Sequence, residues 1–302
     1  MNRALILGYH RVADVIRDPY AVCVTPRHFA QQLAILHETT RPISLCRLIE
    51  GIQQNNLPER AVVVTFDDGY AGTLYQAKPL LEQYQIPATV FVTTGYQGQQ
   101  FWWDELDSIL MRTPDLSKSF DLLFRKNIET RIEGDTPDSR QYLLWSLYNQ
   151  LLPLSTVERE QMMVRLRAWG GEEADEWSDQ RALTLDELIE LATGELVTIG
   201  AHTVTHPLLA ALPNGEQEIE IRQSKTYLEE VLEQPITSFS YPNGSISKTT
   251  VTLVQESGFQ CACASHNDVV WQGSDSFQLP RFWIPDWDGV TFSQWLRRWL
   301  PD

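Results

Sequence analysis

The sequence predicts an α/β fold, a distorted (β/α) barrel with about seven parallel strands and a helical insertion. Three observations carry that expectation. Short β-branched apolar runs, such as Val62-Val63-Val64-Thr65-Phe66 and Ala88-Thr89-Val90-Phe91-Val92, have the composition of strands buried on both faces. Segments with helical apolar spacing separate these runs, and β alternating with α implies a parallel sheet with helices outside it. Polar clusters follow two of the runs, at Asp67-Asp68-Gly69 and at His202-Thr203-Val204-Thr205-His206, where α/β sheets and barrels carry their chemistry.

Taken in order, a first strand is expected over 4–8, with Tyr9-His10-Arg11 at its carboxyl end. Thr25 should cap a helix with Pro26 at its first position and Phe29, Leu33 and Leu36 as its apolar stripe. Ser44 caps a second, short helix carrying Leu45, Leu48, Ile49 and Ile52. The strand ending in the Asp pair follows, then a helix with Leu74, Leu80 and Leu81, then a strand over 87–94. From about 100 to 182 the rhythm breaks into helical periods without a convincing strand, ending in an acidic stretch over 170–179; this reads as a helical insertion within a single barrel domain, 1–302. Thr184-Leu185-Asp186-Glu187 starts another capped helix with acids in its first turn. A strand over 196–200 delivers the histidine segment, and an amphipathic helix follows Asn214. Strands are expected over 236–239, 259–264 and 277–284, with a helix near 251–254 between the first two and a terminal helix carrying Phe292, Trp295, Leu296 and Trp299.

With 302 residues, 43% hydrophobic and 21% charged, the chain can bury a sizeable core. A formal net charge of −16 argues against nucleic acid and against an anionic membrane surface. No segment reaches the roughly 18 apolar residues of a spanning helix. The apolar start is too short for a signal peptide, so a cytoplasmic protein is expected. The four cysteines have no CxxC spacing, and buried free thiols are expected of Cys261 and Cys263.

The chemistry starts from His202 and His206. Two histidines at i and i+4 with a carboxylate from elsewhere can hold a divalent metal with a position left open for water, although the same spacing also occurs on a surface helix face. Pro207 disfavours a helix through His206, so a loop or terminating turn is expected there. Asp67-Asp68-Gly69 can be a plain turn, a phosphate-transfer or magnesium site, or a catalytic acid pair. Both segments follow buried strands of one parallel sheet, so both should face one rim.

Thr65-Phe66-Asp67-Asp68-Gly69 followed by His202-Thr203-Val204-Thr205-His206 resembles the polysaccharide deacetylase family, carbohydrate esterases with a chitooligosaccharide-deacetylase homology domain. Tyr9-His10-Arg11-Val12 and Tyr241-Pro242-Asn243-Gly244 extend the likeness over most of the chain outside the insertion. The resemblance implies that Asp68, His202 and His206 hold one divalent ion, expected to be Zn2+. Asp67 would be the general base toward the attacking water, and the Asn243 amide a second oxyanion donor. Two features of the family pattern are missing. Ser240 stands where the family often has the arginine that orients the base, and Arg281 could supply that charge from a neighbouring strand. The late Leu-x-His segment that gives many members their general acid is absent, and His10 is the better substitute, with His266 second. Trp283 and Trp287 are candidates for stacking on sugar rings, ahead of Trp102, Trp103 and Trp271, with core packing as the alternative for each.

The expected activity is removal of N-acetyl groups from amino-sugar residues of a saccharide or saccharide precursor, so the expected partner is an N-acetylated saccharide. The alternatives are hydrolysis of another non-peptide C–N bond (formyl or cyclic amide) by the same centre, or a metal- or saccharide-binding homologue without catalysis. Sugar identity and oligomeric state stay open.

Overall fold

The computed structural model describes residues 2–15, 17–112, 136–170 and 180–300. The chain divides into two compact units, one of residues 1–99 and 181–302 and one of residues 100–180.

In the larger unit the strands are β1 (Ala4–Tyr9), β2 (Arg11–Val12), β3 (Cys23–Val24), β4 (Arg41–Pro42), β5 (Ala61–Phe66), β6 (Ala88–Val92), β7 (Val197–Ala201), β8 (Ser238–Ser240), β9 (Cys261–Cys263) and β10 (Phe282–Trp283). Helices α1 (Pro26–Thr39), α2 (Leu45–Gln53) and α3 (Lys78–Tyr84) lie among the first six strands, and a π-helical turn, Thr73–Ala77, leads into α3. Seven strands run parallel in the order β10-β1-β5-β6-β7-β8-β9, with β4 beside the start of β5 and β2 paired with β3 apart from this sheet. The ring closes through the segment before β10: Leu279 bridges Cys263 in parallel, and Phe282 and Trp283 then pair with Leu7 and Gly8. The predicted strand over 277–284 is therefore regular only at its end. Its first half spans the gap to β9.

Every residue of β1, β5 and β6 is buried, as the apolar runs require. Alternation sorts them into two layers. Leu5, Leu7, Val62, Val64 and Phe66 belong to the layer beneath the helices, with Phe29, Leu33 and Leu36 of α1. Ala4, Ile6, Val63, Phe91, Cys261, Cys263 and Leu279 form the smaller core inside the ring, joined by Leu45, Leu48 and Ile49 of α2. Truncating one of these, Ile6→Ala for example, would cost about 2–5 kcal/mol. All four cysteines are free.

Helices α4 (Trp102–Arg112), α5 (Pro137–Leu151) and α6 (Thr156–Gly170) make up the described part of the smaller unit. Trp102 stacks on Tyr148 at 5.2 Å, Phe101 on Trp103 at 4.7 Å, and Arg167 pairs with both carboxylate oxygens of Glu105. Packing in this unit accounts for Trp102 and Trp103. Most of the acidic stretch at its end, residues 171–179, lies outside the described residues.

The remaining helices return to the larger unit: α7 (Leu185–Leu191), α8 (Asn214–Leu232), α9 (Lys248–Glu256) and α10 (Gly289–Trp299). No helix of the described residues is long and apolar enough to cross a membrane.

Candidate active site

Strand alternation builds the first half of the site. Val63 faces the inside of the ring, so Thr65 and Asp67, at i+2 and i+4, point the same way. Both are buried, and the Thr65 hydroxyl donates to Leu7 O at 2.9 Å. The chain then turns sharply at Asp68, with φ at 72°. An aspartate tolerates the left-handed region better than most residues.

His202 arrives by extension of β7, its amide donating to Val92 O at 3.0 Å. The segment to His206 is a loop, as Pro207 implied. Thr203 and His206 both adopt left-handed φ, 65° and 55°. For a β-branched residue this is a costly conformation, of order 1–3 kcal/mol, that persists only when its surroundings enforce it. The surroundings do so on two sides. Thr94 N–H donates to Thr203 O at 3.1 Å and Gly95 N–H to Val204 O at 2.8 Å. A Cβ on Gly95 would lie 2.5 Å from Val204 O, so only glycine permits that approach. On the other side the Glu220 carboxylate of α8 accepts from the Val204 and Thr205 amides, each at 2.8 Å, and from the Thr205 hydroxyl at 2.6 Å.

The structure brings Asp68, His202 and His206 together. One ligand atom from each lies within 4.8 Å of the others, and all three residues are buried. Nε2 of His202 and Nε2 of His206 stand 3.5 and 3.4 Å from the same Asp68 oxygen, Oδ1, which makes no hydrogen bond. The His202 Nδ1 lies 2.8 Å from Ser240 O, which holds the proton there and leaves the Nε2 lone pair directed at the centre. Two imidazole nitrogens and a carboxylate oxygen converging on a point with no internal hydrogen bond fit a divalent metal ion.

Asp67 has a different set of partners. Arg281 is fully buried and grips it with both terminal nitrogens, Nη1 to Oδ1 at 2.7 Å and Nη2 to Oδ2 at 2.8 Å. Ser240 donates its hydroxyl to Asp67 Oδ2 at 3.0 Å and accepts from Arg281 Nη2 at 2.8 Å. Arg281 Nε donates to Ala264 O, and its guanidinium lies over the Trp283 ring at 4.6 Å. The position that lacks the family's arginine is therefore occupied by a serine that shares the acid with an arginine from the segment closing the ring.

These surroundings separate the charges. Burial alone would raise the Asp67 carboxyl, but the Arg281 guanidinium overrides it and holds Asp67 well below the usual carboxylate range. Burial likewise works against ionised Asp68, while contact with His202 and the charge of His206 keep it below its ordinary value. His202 is pushed down by burial and pulled further up by the two carboxylates, so it ends above its ordinary value.

Among the other expected residues, His10 directly follows β1 and stacks on Trp283 at 4.4 Å. Burial lowers its imidazole, outweighing the nearby Asp68 and Asp67. Asn243 is exposed in the short turn Pro242–Gly244, with φ at 53°, just beyond β8 and so on the rim that carries Ser240. His266 is exposed and reaches Arg281 only through its carbonyl. His28 pairs with Asp286 at 2.8 Å. Trp283 serves packing rather than an open platform: its ring lies against Arg281, His10 and Gly8, where a Cβ would come within 2.6 Å. Trp287 packs against the outer core. Sequence reasoning missed Glu220, because acids on the polar face of an amphipathic helix look alike; α8 also carries Glu216 and Glu218.

The family model described as polysaccharide deacetylase matches residues 54–117 and 170–262, just over half of the chain. The poly-beta-1,6-N-acetyl-D-glucosamine N-deacetylase of Escherichia coli is 34% identical over 112 residues, covering 35% of this chain and 17% of that protein. The protein of the same name from Staphylococcus epidermidis is 31% identical over 110 residues, covering 32% of this chain and 38% of that one. The chain thus matches less than two fifths of the length of either relative. Among solved structures, the Streptococcus pyogenes deacetylase PplD in complex with acetate superimposes with a TM-score of 0.64 at 20% identity, covering 97% of both chains. IcaB from Ammonifex degensii does so with 0.65 at 19% identity, covering 98% of both. At these identities the likeness is one of fold.

Proposed function

The chain belongs to the polysaccharide deacetylase family, and from that premise we propose that it is a metal-dependent hydrolase removing N-acetyl groups from amino-sugar residues of a saccharide. One observation carries the reading: of two adjacent carboxylates, Asp68 faces two histidine Nε2 atoms with an Oδ1 that makes no hydrogen bond, while Asp67, also 3.7 Å from the His202 Nε2, is held by Arg281 and Ser240. Asp68, His202 and His206 would hold the ion, and their donor set suits zinc. When bound, such an ion supplies Lewis acidity, acidifying water and polarising the acetamide carbonyl.

In this proposal Asp67 is the general base toward the attacking water. Arg281 and Ser240 fix the orientation of its carboxylate and favour its ionised form. The Asn243 amide, at the turn beyond β8, would donate to the oxyanion as the carbonyl becomes tetrahedral. His10 is best suited to bind the substrate by a hydrogen bond, since burial favours its neutral form. Asp67 would then pass its proton on to the departing amine nitrogen. The binding-only alternative drew on a missing arginine, and Arg281 on Asp67 weakens it.

The test is acetate release from N-acetylglucosamine oligomers with added zinc or cobalt. Asp67→Asn should abolish release while metal content persists. A broad panel with no release, metal being demonstrably bound, would sink the deacetylase reading.

A further inference from the structure

We propose that Glu220 is a positioning residue for the metal site, holding the loop from His202 to His206 in the one conformation that points His206 at Asp68. The inference rests on the reading of Asp68, His202 and His206 as metal ligands.

The argument follows the loop's backbone. His206 lies five residues beyond the end of β7, so no strand pairing places it. Its orientation depends on left-handed backbone at Thr203 and at His206 itself. Turns of that kind leave successive N–H groups pointing to one side, a small concave anion site. The N–H groups of Val204 and Thr205 point so, and both end on Glu220 Oε2 at 2.8 Å, while Oε1 takes the Thr205 hydroxyl at 2.6 Å. The opposite edge of the loop is held through its carbonyls by Thr94 and Gly95. Inside it, the His206 amide donates to the Thr203 hydroxyl at 3.0 Å. A carboxylate suits this place because every group facing it is a donor and it has only acceptors to offer. An amide could keep its oxygen on the two N–H groups and meet the Thr205 hydroxyl with its NH2, but it would lose the carboxylate charge that strengthens all three bonds. Residue 220 lies on α8, two turns into a 19-residue helix, so the loop is referred to a rigid element rather than to another loop. Outer partners of this kind orient metal ligands, and their loss typically weakens metal binding about ten- to a hundredfold.

The experiment is a cobalt(II) titration of the full chain, followed by visible absorption, with thermal unfolding in chelator as the stability control. Glu220→Gln is expected to weaken cobalt binding about ten- to a hundredfold and to change the absorption spectrum. Glu220→Asp should retain more affinity than Glu220→Gln. Glu218→Gln, on the same helix and paired only locally with Arg222, should match the wild type. Thr205→Val removes one donor of the three and should weaken binding about fivefold, the value of one ordinary hydrogen bond; it decides the matter if Glu220→Gln does not fold. Wild-type cobalt affinity and spectrum in Glu220→Gln, or in a folded Thr205→Val when Glu220→Gln is unfolded, would overturn the proposal while leaving the metal reading intact. A wild-type chain that binds no cobalt would overturn both.

Discussion

Replacing Arg281 by methionine isolates the interaction that most distinguishes Asp67 from its neighbour. Methionine keeps much of the side-chain length but offers no charge to the two carboxylate oxygens that Arg281 holds at 2.7 and 2.8 Å. Arg281 is fully buried and Asp67 nearly so, so water cannot replace the lost partner. Removing one member of such a pair costs about 3–5 kcal/mol, because the other charge stays behind uncompensated. The sign of the pH dependence follows. In the wild type Asp67 is depressed below its unfolded value, so the pair contributes stability above an unfolded pKa of about 3.9 that is lost as pH falls. In Arg281→Met burial dominates and raises the carboxyl, so the penalty is largest at neutral and alkaline pH and shrinks on acidification. Urea unfolding in chelator at pH 5 and pH 8 measures this. The Asp67→Asn/Arg281→Met pair should recover about 2 kcal/mol or more of the loss at pH 8. With metal loaded, the acid limb of kcat/KM should move to higher pH in Arg281→Met, since the cation's charge is common to both proteins. A pH-independent loss below about 1 kcal/mol, with an unmoved limb, would refute the assignment of Arg281 as the group that governs Asp67.

The other predictions concern the metal, the ring and one ion pair. Chelation should abolish acetate release and zinc should restore it; zinc affinity, followed by titration, should fall on acidification from above pH 6.5 downward, because the carboxylates hold the His202 imidazole above that ordinary value and protons compete for Nε2. Gly8→Ala puts a methyl 2.6 Å from the Trp283 ring and should cost about 1–3 kcal/mol in urea unfolding, with kcat/KM falling as Trp283 shifts against Arg281 and His10. Glu187 is held by Arg181 at 2.6 Å, which brings its carboxyl from 4.5 down to about 2. Its contribution is full above the unfolded value and lost as pH falls through about 2, so Glu187→Gln should be less stable than the wild type at pH 7, with most of the difference gone by pH 2.5.

Strands β1, β5 and β6 were legible because each is a buried apolar run of distinctive composition, and a two-residue period continued past Phe66 puts Asp67 on the same face as Val63. The dipeptide at 41–42 was not legible as a strand, since two residues beside the start of β5 carry no periodicity. His202 and His206 stood out by spacing, and Pro207 made their segment a loop. Arg281 could be named only as a candidate from the sequence, because nothing local distinguishes a buried guanidinium from a surface one. Ser240 looked like a gap in the family pattern, and Glu220 looked like any other acid on a helix face.

What the sequence by itself determined is therefore local: strand and helix periods, caps, and the residue types at strand ends, all set by interactions a few residues apart. Only the tertiary structure decided which distant groups meet. Closing the ring carries Arg281 across 214 residues to Asp67 and brings Ser240 across 173, and packing α8 beside β7 sets Glu220 under the histidine loop. Those contacts depend on strand order and register, which local propensity does not encode, and they give two neighbouring aspartates different chemistry.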